Sequence, residues 1–314
     1  MQKYRFLALF LTLCFIAPTT RATDHPAPDA EARGWILGVQ AFSFYTETFF
    51  EAVDRISTLG LRHVEAMPFG RLSPDHPQIS TDHNMPPEYR SILKAKLAEA
   101  GVALSSYGVV PLPNDEVECR KVFDYARDMG IETIVSEPPA DAINLIAKLC
   151  DEYEIDVAIH NHPVPSAYWD PQKVYDAVNG KTKRLGACGD TSHWQRSGLD
   201  VVASLKLLQG RLKTFHFGEV DGEKVAEYSA KRKGLAPNDA KFPSMTDHVG
   251  GIPNVVYGSG PADMRAWLAE IDRQGIEAKF SIEAFFDRKP DEAQALMVEC
   301  IAYFNTVAKE LRHK

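Results

Sequence analysis

Asp190 and His193 stand three residues apart in Gly186-Ala187-Cys188-Gly189-Asp190-Thr191-Ser192-His193-Trp194, just after an apolar run. At the carboxyl end of a strand, that spacing sets a carboxylate oxygen and an imidazole on one rim, a pair that suits a divalent metal. Three other runs finish in residues able to ligate metal: Val157-Ala158-Ile159-His160-Asn161-His162, Leu212-Lys213-Thr214-Phe215-His216 and Phe280-Ser281-Ile282-Glu283. With Glu65, Glu137 and Glu219, which also close apolar segments, the strand ends hold more carboxylate and imidazole than a structural face needs. The expected metal ligands are His160, Asp190, His216 and Glu283, one per strand. Two imidazoles with two carboxylates suit Mn2+, Co2+, Zn2+ or Fe2+ more than Mg2+, which prefers oxygen. His162, His193 and Glu137 then fall beside the ion, placed to move protons. Glu137 is the expected base, with capping of the following helix as its structural alternative. Arg196, Glu65 and His248 are assigned to the substrate.

These residues need a scaffold that gathers strand ends. After a polar segment, short apolar strands alternate with amphipathic helices eight times, the pattern of parallel βα units. Strands are expected near Ile36–Phe44, His63–Met67, Ala103–Val109, Thr133–Glu137, Val157–His160, Leu185–Gly189, Lys213–Phe217 and Lys279–Glu283. Several helices close on glycine just before the next strand, at Gly60, Gly101, Gly130 and Gly275, where a left-handed helix end is expected. Eight units make a closed (β/α)8 TIM barrel, a single domain over residues 35–314, sealed by a last helix from Asp291 to about Leu311. Two long connections, Met67 to Pro87 and Glu219 to Gly260, follow the second and seventh strands. In a barrel both lie on the carboxyl face, so the second is expected to cover the pocket.

The chain has 314 residues, 45% of them hydrophobic, enough for one large core. Its net charge of −8 argues against a nucleic-acid partner. Lys3 and Arg5, the apolar run Phe6 to Ile16 and the small-residue ending at Ala22 read as a signal peptide over residues 1–22, too short to span a bilayer stably. Export to the periplasm or beyond follows, with no membrane attachment after signal removal. Residues 23–34 read as a linker. Cys119, Cys150, Cys188 and Cys300 are spaced too widely for metal fingers and read as buried small hydrophobes.

The order of strand-end residues resembles the xylose-isomerase-like barrel superfamily of sugar isomerases and epimerases: Asp190-Thr191-Ser192-His193, then His216, Tyr257-Gly258-Ser259-Gly260 and Glu283. The resemblance covers nearly the whole mature chain. In the epimerases Glu, Asp, His and Glu hold the metal, which implies His160, Asp190, His216 and Glu283 here, with His160 departing from the pattern. The departure leaves Glu283 without the carboxylate twin that epimerisation uses. Ile159-His160-Asn161-His162-Pro163 and His193-Trp194-Gln195-Arg196-Ser197-Gly198-Leu199-Asp200 resemble a secreted branch related to 3-keto-glycoside lyases and hydratases. The resemblance implies one divalent metal, a small carbohydrate substrate, and proton abstraction next to a carbonyl. Alternatives are a sugar isomerase or epimerase, a non-catalytic sugar-binding barrel and, more remotely, an apurinic endonuclease. The sugar, the ion and the oligomeric state are left open.

Overall fold

A computed structural model describes residues 25–311; the proposed signal peptide lies outside the described residues. Eight parallel strands close into a barrel: β1 (Trp35–Gln40), β2 (His63–Ala66), β3 (Ala103–Tyr107), β4 (Thr133–Ser136), β5 (Asp156–Ile159), β6 (Leu185–Asp190), β7 (Leu212–Phe217) and, after a short two-stranded ribbon of β8 (Glu219–Val220) and β9 (Asn254–Val255), β10 (Ala278–Ile282). β1 pairs β10 on one side and β2 on the other, which closes the ring. Each barrel strand matches a run read from the sequence to within a few residues.

Side-chain alternation along the strands divides the barrel into two layers. Phe215, Phe217 and Phe280 face outward, where Phe217 and Phe280 meet Phe304 of the last helix, Pro290–Leu311, at ring-centroid distances of 5.5 and 5.1 Å. His216, one residue from each of Phe215 and Phe217, therefore faces the barrel axis. Small residues fill the axis below the site: Val135, Ala158 and Cys188 form a separate buried cluster. The four described cysteines are buried and free. Among the described residues no helix is long and apolar enough to cross a membrane.

Two segments differ from the sequence reading. The first strand stops at Gln40 and Ala41–Phe44 forms a 3-10 turn, because Gln40 Oε1 accepts from Phe42 N at 2.7 Å and caps the turn. The segment read as a linker carries a short helix, Pro28–Glu31, docked on the last helix: Asn305 Oδ1 accepts from Asp29 N at 2.8 Å and from Ala30 N at 3.3 Å. It is part of the packed fold.

Gly101 and Gly130 end their helices at φ 65° and 74°, the left-handed cap read from the sequence. The helix Ile143–Tyr153 ends the same way, but on Glu154 at φ 58°. A residue with a Cβ is strained there by about 1–2 kcal/mol. Glu154 is well exposed and its nearest cation, Arg184 Nη2, is 3.9 Å away, so little is lost with its side chain. Glu154→Gly should therefore stabilise the protein by about 0.5–1 kcal/mol after allowing for the greater freedom of the unfolded chain. A denaturant midpoint that falls on substitution refutes this.

Candidate active site

Strand pairing decides which side chains meet. β6 and β7 first pair at Ala187↔Leu212, then slip by one residue between Ala187 and Cys188, so that Asp190 lies opposite His216. Without that bulge Asp190 would pair with Phe215, which faces outward. On the other side of His216, Ser281 of β10 is its register partner, two residues before Glu283. His160 follows β5 immediately, its backbone N–H bonded to Ser136 O at 2.9 Å.

The ligand-type atoms of His160, Asp190, His216 and Glu283 lie within 4.8 Å of one another. Asp190 Oδ2 is 3.4 Å from His160 Nε2 and 3.9 Å from His216 Nδ1, and His216 Nδ1 is 2.7 Å from Glu283 Oε2. Yet His160 Nε2, His216 Nδ1 and Glu283 Oε2 are buried with no aligned hydrogen-bond partner. Buried polar atoms are normally partnered, because an unmet one costs roughly 1–3 kcal/mol. Three such atoms facing one point, beside a carboxylate, fit a divalent cation of the Mn2+, Co2+, Zn2+ or Fe2+ type.

The far nitrogens of both histidines are held by carboxylates. His160 Nδ1 donates to Glu137 Oε1 at 3.0 Å, and His216 Nε2 to Glu65 Oε1 at 2.8 Å. Each bond directs the opposite nitrogen's lone pair toward the cluster, the arrangement that orients metal-binding histidines. Glu65 is itself fixed by Ser106 Oγ at 2.8 Å. Asp190 does double duty: Oδ1 caps the helix Thr191–Arg196 by accepting from His193 N at 2.7 Å, while Oδ2 faces the histidines. Asn161 clamps the Asp190 backbone, accepting from its N–H at 2.8 Å and donating to its carbonyl at 3.1 Å.

A second group flanks the first. Glu137 Oε1 accepts from His162 Nδ1 at 2.6 Å and from His162 N at 2.7 Å as well as from His160. Burial alone would raise the Glu137 carboxyl, but these histidine hydrogen bonds hold it far below the usual range. With Nδ1 protonated toward Glu137, His162 keeps Nε2 as its basic nitrogen. His193 differs: burial, then the neighbouring Arg196 guanidinium, hold its pKa well below the ordinary value. Arg196 Nη1 donates to His193 Nδ1 at 3.1 Å, so the neutral ring carries its proton on Nε2, 3.5 Å from Asp190 Oδ2.

Above these groups lies a cavity of about 190 Å3. His162, Asp190, His193, Arg196 and Glu283 form its polar side, and Phe42, Phe286, Met245, Thr246 and Val249 its apolar side. The last three come from the helix Met245–Gly251 in the connection after β7, which covers the pocket as expected. Arg196 latches that cover: Nε donates to Ile252 O at 3.0 Å and Nη2 to Asn254 Oδ1 at 2.9 Å. A larger cleft of about 660 Å3 lies at the opposite mouth of the barrel. Its lysines are neutralised, Lys213 by Asp156 and Lys279 by Glu132. Catalytic residues of such barrels stand at the carboxyl ends of the strands, which places the chemistry in the smaller cavity.

A family model described as the xylose isomerase-like TIM barrel matches residues 53–303. The chain belongs to this family. Similar solved structures include an uncharacterised protein from Parabacteroides distasonis (24% identity, TM-score 0.64, covering 87% of this chain and 99% of that one) and a D-tagatose 3-epimerase-like protein (15%, 0.62, 88% and 99%). A third is a probable 3-DHS dehydratase from Bacillus anthracis (14%, 0.60, 86% and 98%). At these identities the likeness is one of fold. No curated protein matches the chain at a significant level.

Within this xylose isomerase-like barrel, three residues assigned to substrate from the sequence are occupied otherwise. Glu65 is fully buried, holds His216 Nε2 and does not line the cavity. His248 is also fully buried; its Nδ1 lies 2.8 Å from Ser244 O, and it packs under Tyr228 and Phe242 inside the cover. Arg196 reaches the cavity wall, but its three nitrogens are spent on Ile252, Asn254 and His193. Glu137 does not cap a helix, since the 3-10 turn Ala140–Ala142 has Pro139 at its cap with no side-chain bond. Glu219, another strand-end carboxylate, ties down the turn at Gly258 and Ala262. The sequence reading missed Phe42 and Phe286, because apolar residues near strand ends are indistinguishable by type from core. Asn161 was legible in principle, as the amide between His160 and His162.

Proposed function

We propose that the protein is an exported, metal-dependent lyase or hydratase acting on a keto-sugar or 3-keto-glycoside. The observation that carries this reading is the set of three buried atoms of His160, His216 and Glu283 that make no aligned hydrogen bond beside Asp190, with His162, held by Glu137, on the wall of the same small cavity. A divalent ion bound there supplies Lewis acidity to a substrate carbonyl oxygen. His162 Nε2 takes the proton from the carbon next to that carbonyl, and Glu137 keeps the ring oriented and stabilises the imidazolium that results. His193, neutral and with Nε2 protonated, donates a hydrogen bond to a substrate oxygen, while Arg196 fixes its tautomer. The electron pair left on carbon forms a double bond and expels the β-oxygen, which leaves as an alcohol or water after taking the proton that His162 Nε2 carries, returning His162 to its neutral form.

Isomerisation or epimerisation begins with the same proton abstraction and is the second reading. Epimerisation needs a base on each face of the substrate carbon, and the residue after β5 is His160, whose two nitrogens are directed to Glu137 and the ligand cluster. That favours elimination. Metal-loaded protein should release the aglycone from 3-keto-glucosides and leave free ketohexoses unchanged. Turnover of ketohexoses alone points to the isomerase. Protein that neither retains a transition metal nor gains thermal stability with Mn2+ or Zn2+ is a non-catalytic sugar-binding barrel.

Loading should also release protons. In the metal-free protein burial opposes a charge on His160, but Asp190 and Glu137 push its pKa up to about 10, so below that pH the ion displaces a proton. Apparent metal affinity should rise with pH and weaken as pH falls, and an affinity constant from pH 5 to 9 rules this out. The N-terminal 22 residues act as the export signal in this reading, testable by sequencing the N-terminus of periplasmic protein.

A further inference from the structure

The cavity opens beside an aromatic ledge. Phe42 and Phe286, both in its wall, lie 5.3 Å apart by ring centroid. Phe42 also stacks on Tyr45 at 5.2 Å with 23° between planes and meets Phe69 edge-on at 6.1 Å. Phe69 is 62% exposed and Tyr45 46%. Large exposed hydrophobics are few among the described residues. Tyr45, Phe69 and the cavity residue Met245 gather around this mouth, whereas Ile92, Val117 and Val298 stand singly on barrel helices. Clustered apolar exposure beside a pocket marks a surface that something covers.

The ledge is built before any ligand arrives. Phe69 sits on a pinned loop: Thr81 Oγ1 donates to Met67 O at 2.8 Å, Ser80 Oγ to Pro68 O at 2.9 Å, and Arg71 bridges Ser80. Phe286 follows Phe285, a residue held at φ 61° and fully buried, so a strained backbone turns one phenylalanine into the core and leaves the next on the cavity wall. The cavity itself, about 190 Å3, falls below the roughly 300 Å3 at which drug-sized sites begin, so it admits one ring.

We propose that this ledge is the leaving-group subsite: a glycoside places its reactive sugar ring in the cavity and stacks an uncharged aromatic aglycone on Tyr45 and Phe69. The inference rests on a carbohydrate occupying the cavity, as proposed above. An aromatic aglycone fits better than a second sugar because, of the four ledge rings, only Tyr45 carries a group that can hydrogen-bond a hydroxyl, whereas aromatic pairs gain from offset or edge contacts.

Binding of phenyl β-glucoside, methyl β-glucoside and cellobiose to the metal-loaded full chain, measured by calorimetry, tests the assignment. Phenyl glucoside should bind about tenfold tighter than methyl glucoside, and the gap should close to within about twofold in Phe69→Ala and in Tyr45→Ala. Both are exposed positions, and circular dichroism confirms that the variants fold. Equal affinities in the wild type, or a preference that survives both substitutions, overturns the subsite. Cellobiose binding as tightly as the phenyl glycoside and losing that affinity in the variants overturns the aromatic assignment in favour of a sugar ring. A wild-type dimer that Phe69→Ala dissociates shows that a second copy covers the ledge, and also overturns it. A phenyl preference lost in the variants, with no turnover of keto-glycosides, leaves the subsite standing and defeats the lyase reading instead.

Discussion

Asp190→Asn should lower metal affinity by more than about 100-fold and abolish activity, with the barrel still folded. Asp190 Oδ2 lies within 3.4–3.9 Å of His160, His193 and His216, and it is the carboxylate at the centre of the cluster. Substitutions one layer further out typically cost 10–100-fold in metal affinity, so loss of a charged ligand should exceed that. The fold survives because Asn caps a helix about as well as Asp, keeping the bond to His193 N. Metal content after dialysis and the thermal shift on adding metal measure the effect. A variant that holds metal like the wild type, or that turns over normally, would show that the site lies elsewhere.

His162→Asn should keep the ion and lower the rate by roughly two to four orders of magnitude, the usual contribution of a positioned general base. Glu137→Gln should behave differently. Its Oε1 accepts from both His160 and His162, so neutralising it weakens the ligand side and the base side together. A roughly 10–100-fold loss in metal affinity should accompany a fall in rate smaller than that of His162→Asn at saturating metal. The sequence alone suggested that Glu137 takes the proton itself. Three hydrogen bonds onto one oxygen, with a carboxyl held far below its usual range, make it a weak base and a strong orienter. If Glu137→Gln loses the rate while metal binding is untouched, and His162→Asn stays fast, the two roles are reversed.

The sequence was enough to determine the barrel, because eight repeats of apolar strand, amphipathic helix and glycine close admit few arrangements, and β1 to β7 and β10 stand where the runs predicted. It was also enough to nominate His160, Asp190, His216 and Glu283, because a strand puts every second residue on the axis and its last residue on the rim. Three things depended on tertiary structure. The bulge between Ala187 and Cys188, which sets Asp190 against His216, is a pairing slip with no signature in either strand. The partners of each imidazole, Glu137 for His160 and His162 and Glu65 for His216, come from strands 23 to 151 residues away. Sequence spacing is blind to contacts at that range, so Glu65 read as a rim residue when it is a buried support. The pocket's apolar wall is assembled from three separate connections, at Phe42, Met245–Val249 and Phe286, where hydrophobicity alone says only that a residue is covered, and the fold decides whether by core or by substrate.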